Sequence, residues 1–243
     1  MYGPHYVLKG WRLIWQPSIR RYAFWPLLVN IVLFAAAIWV GANYFSDFID
    51  WLLPQWLDWL EWLLWPLFAV SLMITVFYTF TLVANLVAAP FNGLLAEAVE
   101  RSLTGAGGND MTVWQAVQDA PASVWNEARK LGYFAVRAVP LLILFLIPGV
   151  NLLAPLLWML FSAWLLALEY LDYPMANHGH RFQHIRAIAA QKRAGSLSFG
   201  GSVLLMTMIP FVNFFAMPVA VAGATAMYVE RFKETSPAAP PPP

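Results

Sequence analysis

Two phrases decide how this chain folds: Ile147-Pro148-Gly149-Val150-Asn151 and Ile209-Pro210-Phe211-Val212-Asn213. They repeat at an offset of 62 residues, and the likeness continues from Leu152-Leu153-Ala154-Pro155 to Phe214-Phe215-Ala216-Met217-Pro218. Each phrase interrupts a stretch without ionised side chains, Ala138 to Leu168 and Ala194 to Val229. Proline removes a helix donor and clashes with the preceding turn. About 10 apolar residues precede Pro148 and about 13 precede Pro210, where a spanning helix needs roughly 20. Each stretch is therefore either a kinked span or a helical hairpin that enters a membrane, turns at the Pro and Asn, and returns.

That the solvent is lipid follows from composition. Of 243 residues, 60% are hydrophobic and 11% charged, where a soluble domain carries roughly a quarter charged residues. The mean hydropathy of +0.61, with 13 Trp, excludes a water-soluble globule. Two further uncharged stretches, Tyr22 to Ser46 and Trp62 to Ala96, are long enough to span. The first reads as a retained helix, because its apolar run is too long for a signal peptide and Trp25, Asn30 and Trp39 interrupt it.

Charge then separates kinked spans from hairpins. The linker from Asp47 to Glu61 carries Asp47, Asp50, Asp58 and Glu61 and none of the 14 Lys and Arg. The positive-inside rule places that linker outside, with Lys9, Arg12, Arg20, Arg21, Arg101, Arg129, Lys130 and Arg137 inside. A single crossing at 138–168 would put Arg181, Arg186, Lys192 and Arg193 outside, whereas two hairpins keep every basic residue inside. The expected fold is an all-α integral membrane protein with two transmembrane helices, two re-entrant, half-penetrating hairpins and amphipathic interfacial helices. It forms one helical membrane domain over 1–236: transmembrane segments at 22–46 and 62–96, hairpins at 138–168 and 194–229, and a disordered Pro-rich tail at 237–243. Residues 4–16 read as an interfacial helix, with His5, Lys9, Arg12 and Gln16 opposite Val7, Trp11, Ile14 and Trp15. Six of the 13 Trp, from Trp39 to Trp65, read as an external aromatic belt. Gly105 to Gly108 reads as a turn, after which Asp110 or Thr112 caps a helix through Trp114 and Trp125.

The chemistry is bounded by what is missing. Without Cys there are no disulfides, thiolate metal sites or cysteine nucleophile. No G-x-x-x-x-G-K-[ST] occurs, so the chain hydrolyses no nucleotide through a P-loop of its own. No catalytic constellation, cofactor, metal site or nucleic-acid contact is expected. His180 and His184 stand at i and i+4 beside His178, a spacing that on a helix can share a metal. With no carboxylates evident nearby, they read instead as polar residues among headgroups, packed against Arg181 and Tyr173.

Pro17-Ser18-Ile19-Arg20-Arg21 joins a helix start to two guanidiniums. Backbone N–H groups left unpaired at a helix start, the helix dipole, Arg20 and Arg21 would together make a cradle for a tetrahedral oxyanion. The alternative is that paired arginines merely anchor a span at the cytoplasmic face. Around Pro90, Asn85 and Asn92 can supply amides to a kinked backbone, while Glu97 and Arg101 stand at i and i+4 with Glu100 beside them. Asn30, Asn85, Asn151 and Asn213 all fall in uncharged stretches, where polar groups are expensive unless paired or lining water. They suggest a polar path.

These elements resemble the CysZ family of bacterial inner-membrane sulfate permeases. The matching features are Pro17 to Arg21, the phrase from Asn85 to Arg101 with its Ala-Pro-Phe-Asn centre, Tyr170 to Gly179, and the two Ile-Pro-x-Val-Asn turns, so the likeness runs from the first helix to about Arg231. The resemblance implies multi-pass insertion in the bacterial inner membrane, a homo-oligomer, and sulfate uptake for cysteine biosynthesis. It places the sulfate site on Arg20 and Arg21 with Ser18 and Ile19. The family commonly has Gly-Leu where this chain has Ser18-Ile19. The expected activity is channel-like facilitated flux, with proton linkage through Glu97 or Glu100 as a variant. The alternative is a membrane-shaping or scaffold protein whose hairpins act as wedges.

Overall fold

The computed structural model describes residues 3–52, 66–67, 70–71, 73–74, 91–105 and 120–233, and all of the regular structure among them is helical. Most of the expected second span, with Asn85 and Pro90, lies outside the described residues. So do the acidic linker beyond Leu52, the Trp belt beyond Trp51, the glycine turn beyond Gly105, Asp110, Thr112, Trp114 and the Pro-rich tail.

The chain divides into two compact units, Met1–Ala23 with Pro90–Pro243, and Phe24–Ala89. The described helices are α1 (Gly3–Leu13), α2 (Arg20–Leu52), α3 (91–104), α4 (Ala120–Leu144), α5 (Ala154–Ala176), α6 (Phe182–Gln191), α7 (Arg193–Thr207) and α8 (Ala216–Arg231). Unit Phe24–Ala89 contains most of α2, a helix of 33 residues. Its Ile31, Val32, Ile38 and Trp39 are exposed. Among the described residues, α5 is long and apolar enough to cross a membrane.

In the other unit, α4 and α5 form an antiparallel hairpin. The Trp164 indole N–H donates to the Tyr133 hydroxyl at 3.3 Å, Lys130 reaches Glu169 at 2.9 Å, and Phe145 meets Trp158 edge-on near the tip. A second hairpin, α7 and α8, packs against the first chiefly through α5 and α7. Backbones touch at that crossing: a Cβ on Gly200 would lie 1.8 Å from the Ala163 carbonyl oxygen. Such contact suits membrane helices, whose association rests on close packing of small residues.

The sequence repeat is also a repeat of backbone geometry. Asn151 N–H donates to Ile147 C=O at 3.0 Å, and Asn213 N–H to Ile209 C=O at 2.8 Å. Leu153 bonds Val150 as Phe215 bonds Val212, and Leu157 bonds Leu153 as Val219 bonds Phe215. The two turns differ at their centres. Gly149 adopts φ +84°, which favours glycine, whereas Pro210 starts a single helical turn after an extended Ile209, as residues before proline prefer. Both tips are apolar and exposed, with Leu152 at 82% and Phe211 at 83%.

Helix α1 packs on α7 and α8. Its buried stripe is Gly3, Tyr6, Gly10 and Leu13; of the Val7, Trp11, Ile14 and Trp15 face that periodicity singles out, Ile14 is buried, Val7 and Trp11 are half-buried and Trp15 is exposed. Gly10 lies against the backbone of Val219 and Gly223, and Gly223 against that of Tyr6. Trp11 and Trp15 contact Phe215 beside the second turn, while Leu8 and Trp15 remain exposed.

Candidate functional site

The basic turn between α1 and α2 is built around Gln16. Its backbone carbonyl accepts the N–H of Ile19 at 3.0 Å and of Arg20 at 2.8 Å, and its side-chain oxygen accepts the Ser102 hydroxyl of α3 at 3.1 Å. Ile14 and Ile19, both fully buried, pin the turn at its two ends. Ser18, Arg20 and Arg21 between and beyond them are exposed. Arg21 donates to the Tyr22 hydroxyl at 2.9 Å and covers that ring. Among the described residues neither Arg20 nor Arg21 has a carboxylate partner. The Ile19 N–H expected in an anion cradle is engaged inside the turn, so the side chains offered outward are two guanidiniums and the Ser18 hydroxyl. Such a surface attracts anions and has no counter-charge of its own.

Behind the turn, α3 carries the acidic residues. Glu97 bonds Arg101 at 2.7 Å, the i,i+4 pair the spacing predicts. Glu100 is 1% exposed and held by two side chains, His178 with Nε2 at 2.9 Å and Lys233 with Nζ at 2.7 Å. Burial alone would push the Glu100 carboxyl up, but hydrogen bonds and charge from His178 and Lys233 outweigh it and hold the group below its ordinary range. His178 thus has the carboxylate that local sequence does not reveal, and its ring also packs on Tyr228. Buried Asn92 donates to the Tyr173 hydroxyl at 3.3 Å and faces the Met217 sulfur. The Asn177 amide donates to the Gly93 carbonyl at 2.9 Å.

The end of α5 aims these partners. Gly179 N–H bonds Ala176 C=O and His180 N–H bonds Met175 C=O, with Gly179 at φ +74°. This pair of bonds around a left-handed glycine is a Schellman cap. It ends the helix so that Asn177 and His178 face α3. Buried His180 has its pKa lowered, first by desolvation and then by the neighbouring His178 and His184. No group of three or more His, Cys, Asp or Glu among the described residues could hold a metal ion.

The structure therefore joins Glu97 to Arg101, Glu100 to His178 and Lys233, and Asn92 to Tyr173, and ties the basic turn to α3 through Gln16 and Ser102. Asn151 and Asn213 lie exposed in the two hairpin turns, apart from that cluster in the chain. Asn30 lies within α2, its side chain outside the description, and Asn85 lies outside the described residues. Gln16, Tyr173, His178 and Lys233 are the residues sequence reasoning missed. For His178 a signal exists in Asn177-His178-Gly179, because a glycine after a helix end fixes where the preceding side chains point.

Comparison with known proteins bears on the whole chain. Residues 6–218 match the family described as sulfate transporter CysZ/etoposide-induced protein 2.4. A relative in Pectobacterium atrosepticum named sulfate transporter CysZ is 43% identical over 238 residues, covering 96% of this chain and 86% of that protein. With both the basic turn and the paired hairpin turns inside the matched span, the chain belongs to the sulfate transporter CysZ family.

Proposed function

We propose that this chain carries sulfate across the bacterial inner membrane for cysteine biosynthesis, as a channel-like permease and not as an enzyme. The observation that carries the reading is membership of the sulfate transporter family over 96% of the chain. It is supported by a basic turn whose two guanidiniums have no carboxylate partner among the described residues. A bare sulfate cannot enter hydrocarbon, since even one unpaired charge costs tens of kcal/mol by Born estimates. Arg20 and Arg21, with Ser18 and the turn at Ile19, gather and partly dehydrate the anion. Weak successive donors then pass it on, with Asn30, Asn85, Asn92, Asn151 and Asn213 as stepping stones. Glu97, Glu100 and Arg101 border this route. Carboxylates beside an anion path must be neutralised, and both of these are ion-paired.

The membrane arrangement belongs to the same proposal: two transmembrane helices at 22–46 and 62–96, two re-entrant hairpins, and a homo-oligomer that completes the pore. Helices α7 and α8 have 15 and 16 residues, about 22–24 Å at 1.5 Å per residue, short of the roughly 30 Å hydrocarbon core. Although α5 is long enough to cross, α4 is charged up to Arg137 and the two are paired as a hairpin. Exposed apolar tips suit insertion from one side. In this chain without cysteine, Cys placed at Gln55 is expected to react with an impermeant maleimide from outside, and Cys at Gly107, Gln183 or Thr235 is not. External labelling at Gln183 would make the first hairpin a single span.

Sulfate binding to the purified protein tests the site. Each loss of a charge-assisted contact costs about 1.5–3 kcal/mol, so Arg20→Ala and Arg21→Ala are each expected to weaken binding about tenfold or more, and together to abolish saturation. Equal affinity in the double variant would leave the two arginines as anchors. Replacing Asn151 and Asn213 by Leu is expected to spare binding and cut flux, whereas a wedge would tolerate apolar tips.

A further inference from the structure

A second pair of guanidiniums, on the first hairpin, has no place in this account. Arg137 of α4 lies over the Tyr133 ring with Cζ 3.6 Å from its centroid, and its Nη1 donates to the Tyr133 carbonyl at 3.2 Å. Arg186 of α6 approaches the same ring, with Cζ at 5.0 Å. Two cations held to one ring centroid at those distances are kept close to each other. The ring is itself fixed. Its hydroxyl accepts the Trp164 indole N–H at 3.3 Å, and Phe134 and Phe182 pack against it edge-on.

Like charges held together call for a counter-ion, and among the described residues neither arginine has one. The contrast is Lys130 on the same helix, buried and paired with both Glu169 and Asp172. Charge and apolar surface also adjoin here. Val136, Val139 and Ile143 follow at helical spacing toward the tip and are 71%, 54% and 51% exposed. An oxyanion alone would use only the arginines, whereas an amphiphile with an anionic head would use both parts.

We infer that Arg137 and Arg186, clamped on Tyr133, form a saturable site for the phosphate headgroup of an anionic phospholipid whose acyl chains lie along the exposed Val136–Val139–Ile143 face of α4. Arginine suits the task because its planar fork binds phosphate oxygens in pairs, and basic pockets at a cytoplasmic membrane face recognise such headgroups. The shared aromatic ring separates this site from ordinary interfacial arginines, because it holds the two cations in register before the lipid arrives. The inference requires a membrane location and is independent of what the chain transports.

The test is retention of lipid by the purified full chain in detergent, read by native mass spectrometry after adding phosphatidylglycerol or phosphatidylcholine at equal concentration. The parent is expected to retain phosphatidylglycerol preferentially, up to a fixed number per chain. Arg137→Gln and Arg186→Gln are each expected to weaken that retention about tenfold, the usual effect of losing one charge-assisted contact. Tyr133→Leu keeps both charges yet is expected to lower the preference toward that for generic electrostatic binding. If the tyrosine variant does not fold, the two single arginine variants decide. Three results would overturn the inference: preference unchanged in both arginine variants, displacement of the lipid by inorganic phosphate at comparable concentration, or arginine variants that change the oligomeric mass instead of lipid retention, which would make a second copy the occupant.

Discussion

Glu100→Gln asks whether the buried carboxylate of α3 is an ion-pair hub or a residue of the permeation path. The substitution keeps shape and one carbonyl acceptor while removing the charge that holds His178 and Lys233. Two charge-assisted hydrogen bonds are lost, each worth about 1.5–3 kcal/mol where fully buried. The partner side chains are 25% and 39% exposed, so both rehydrate in part, and the amide still accepts one hydrogen bond. The expected net loss is about 2 kcal/mol, well below the cost of stranding a fully buried charge. Each kcal/mol moves Tm by about 2–4 °C in a chain of this size, so the melt should fall by about 4–8 °C. The assay is thermal unfolding of detergent-solubilised protein followed by circular dichroism, with His178→Ala and the double variant completing a cycle. The hub requires the two single losses to exceed the double one, leaving a coupling of about 1 kcal/mol. A Tm within a degree of the parent together with abolished sulfate flux would refute it and return Glu100 to the path.

Gly200→Leu is expected to prevent native packing, because its Cβ would fall 1.8 Å from the Ala163 carbonyl oxygen; Gly201→Ala, whose nearest neighbour is 3.9 Å away, should be tolerated, as judged by size-exclusion profile and melt. The two turns should respond oppositely to exchange. Gly149→Phe imposes a side chain on φ +84° and should cost about 1–2 kcal/mol, while Phe211→Gly should cost less because no left-handed residue is required there. Acid should destabilise the fold in steps. His180 titrates below its ordinary 6.5, so its stabilisation is present above that value and lost as pH falls through its lowered pKa. Glu100 and Glu230 titrate below 4.5, so theirs is lost only as pH falls below that value. Melts at about pH 7.5, 5.5 and 4 should therefore decline in order, and a higher Tm at pH 5.5 than at 7.5 would contradict the sign.

The two helix-breaking turns were legible because proline and asparagine in an apolar run leave a mark that does not depend on tertiary context. The repeated phrase even carried its hydrogen bonds with it, from Asn151 to Ile147 and from Asn213 to Ile209. The Glu97–Arg101 pair was legible for the same reason, since i,i+4 partners are fixed by the helix itself. The Glu100 contacts were not, because His178 and Lys233 lie 78 and 133 residues away in sequence, and no local rule pairs positions so far apart. Ile14 of the expected apolar face is buried, but the glycine contacts of α1 were not legible, because glycine adds nothing to an apolar stripe although Gly3 and Gly10 bring its backbone against α7 and α8. The basic turn was visible as charge. Its tie to α3 was not, since the Gln16 side chain meets Ser102, 86 residues away in sequence.

The most direct test of sulfate permeation is uptake of labelled sulfate into proteoliposomes that contain this protein alone. The expected result is flux down the sulfate gradient well above that of empty liposomes, reduced about tenfold or more when Arg20 and Arg21 are both replaced by Ala. Flux in the parent no greater than in empty vesicles, from protein shown to be folded and inserted, would contradict it.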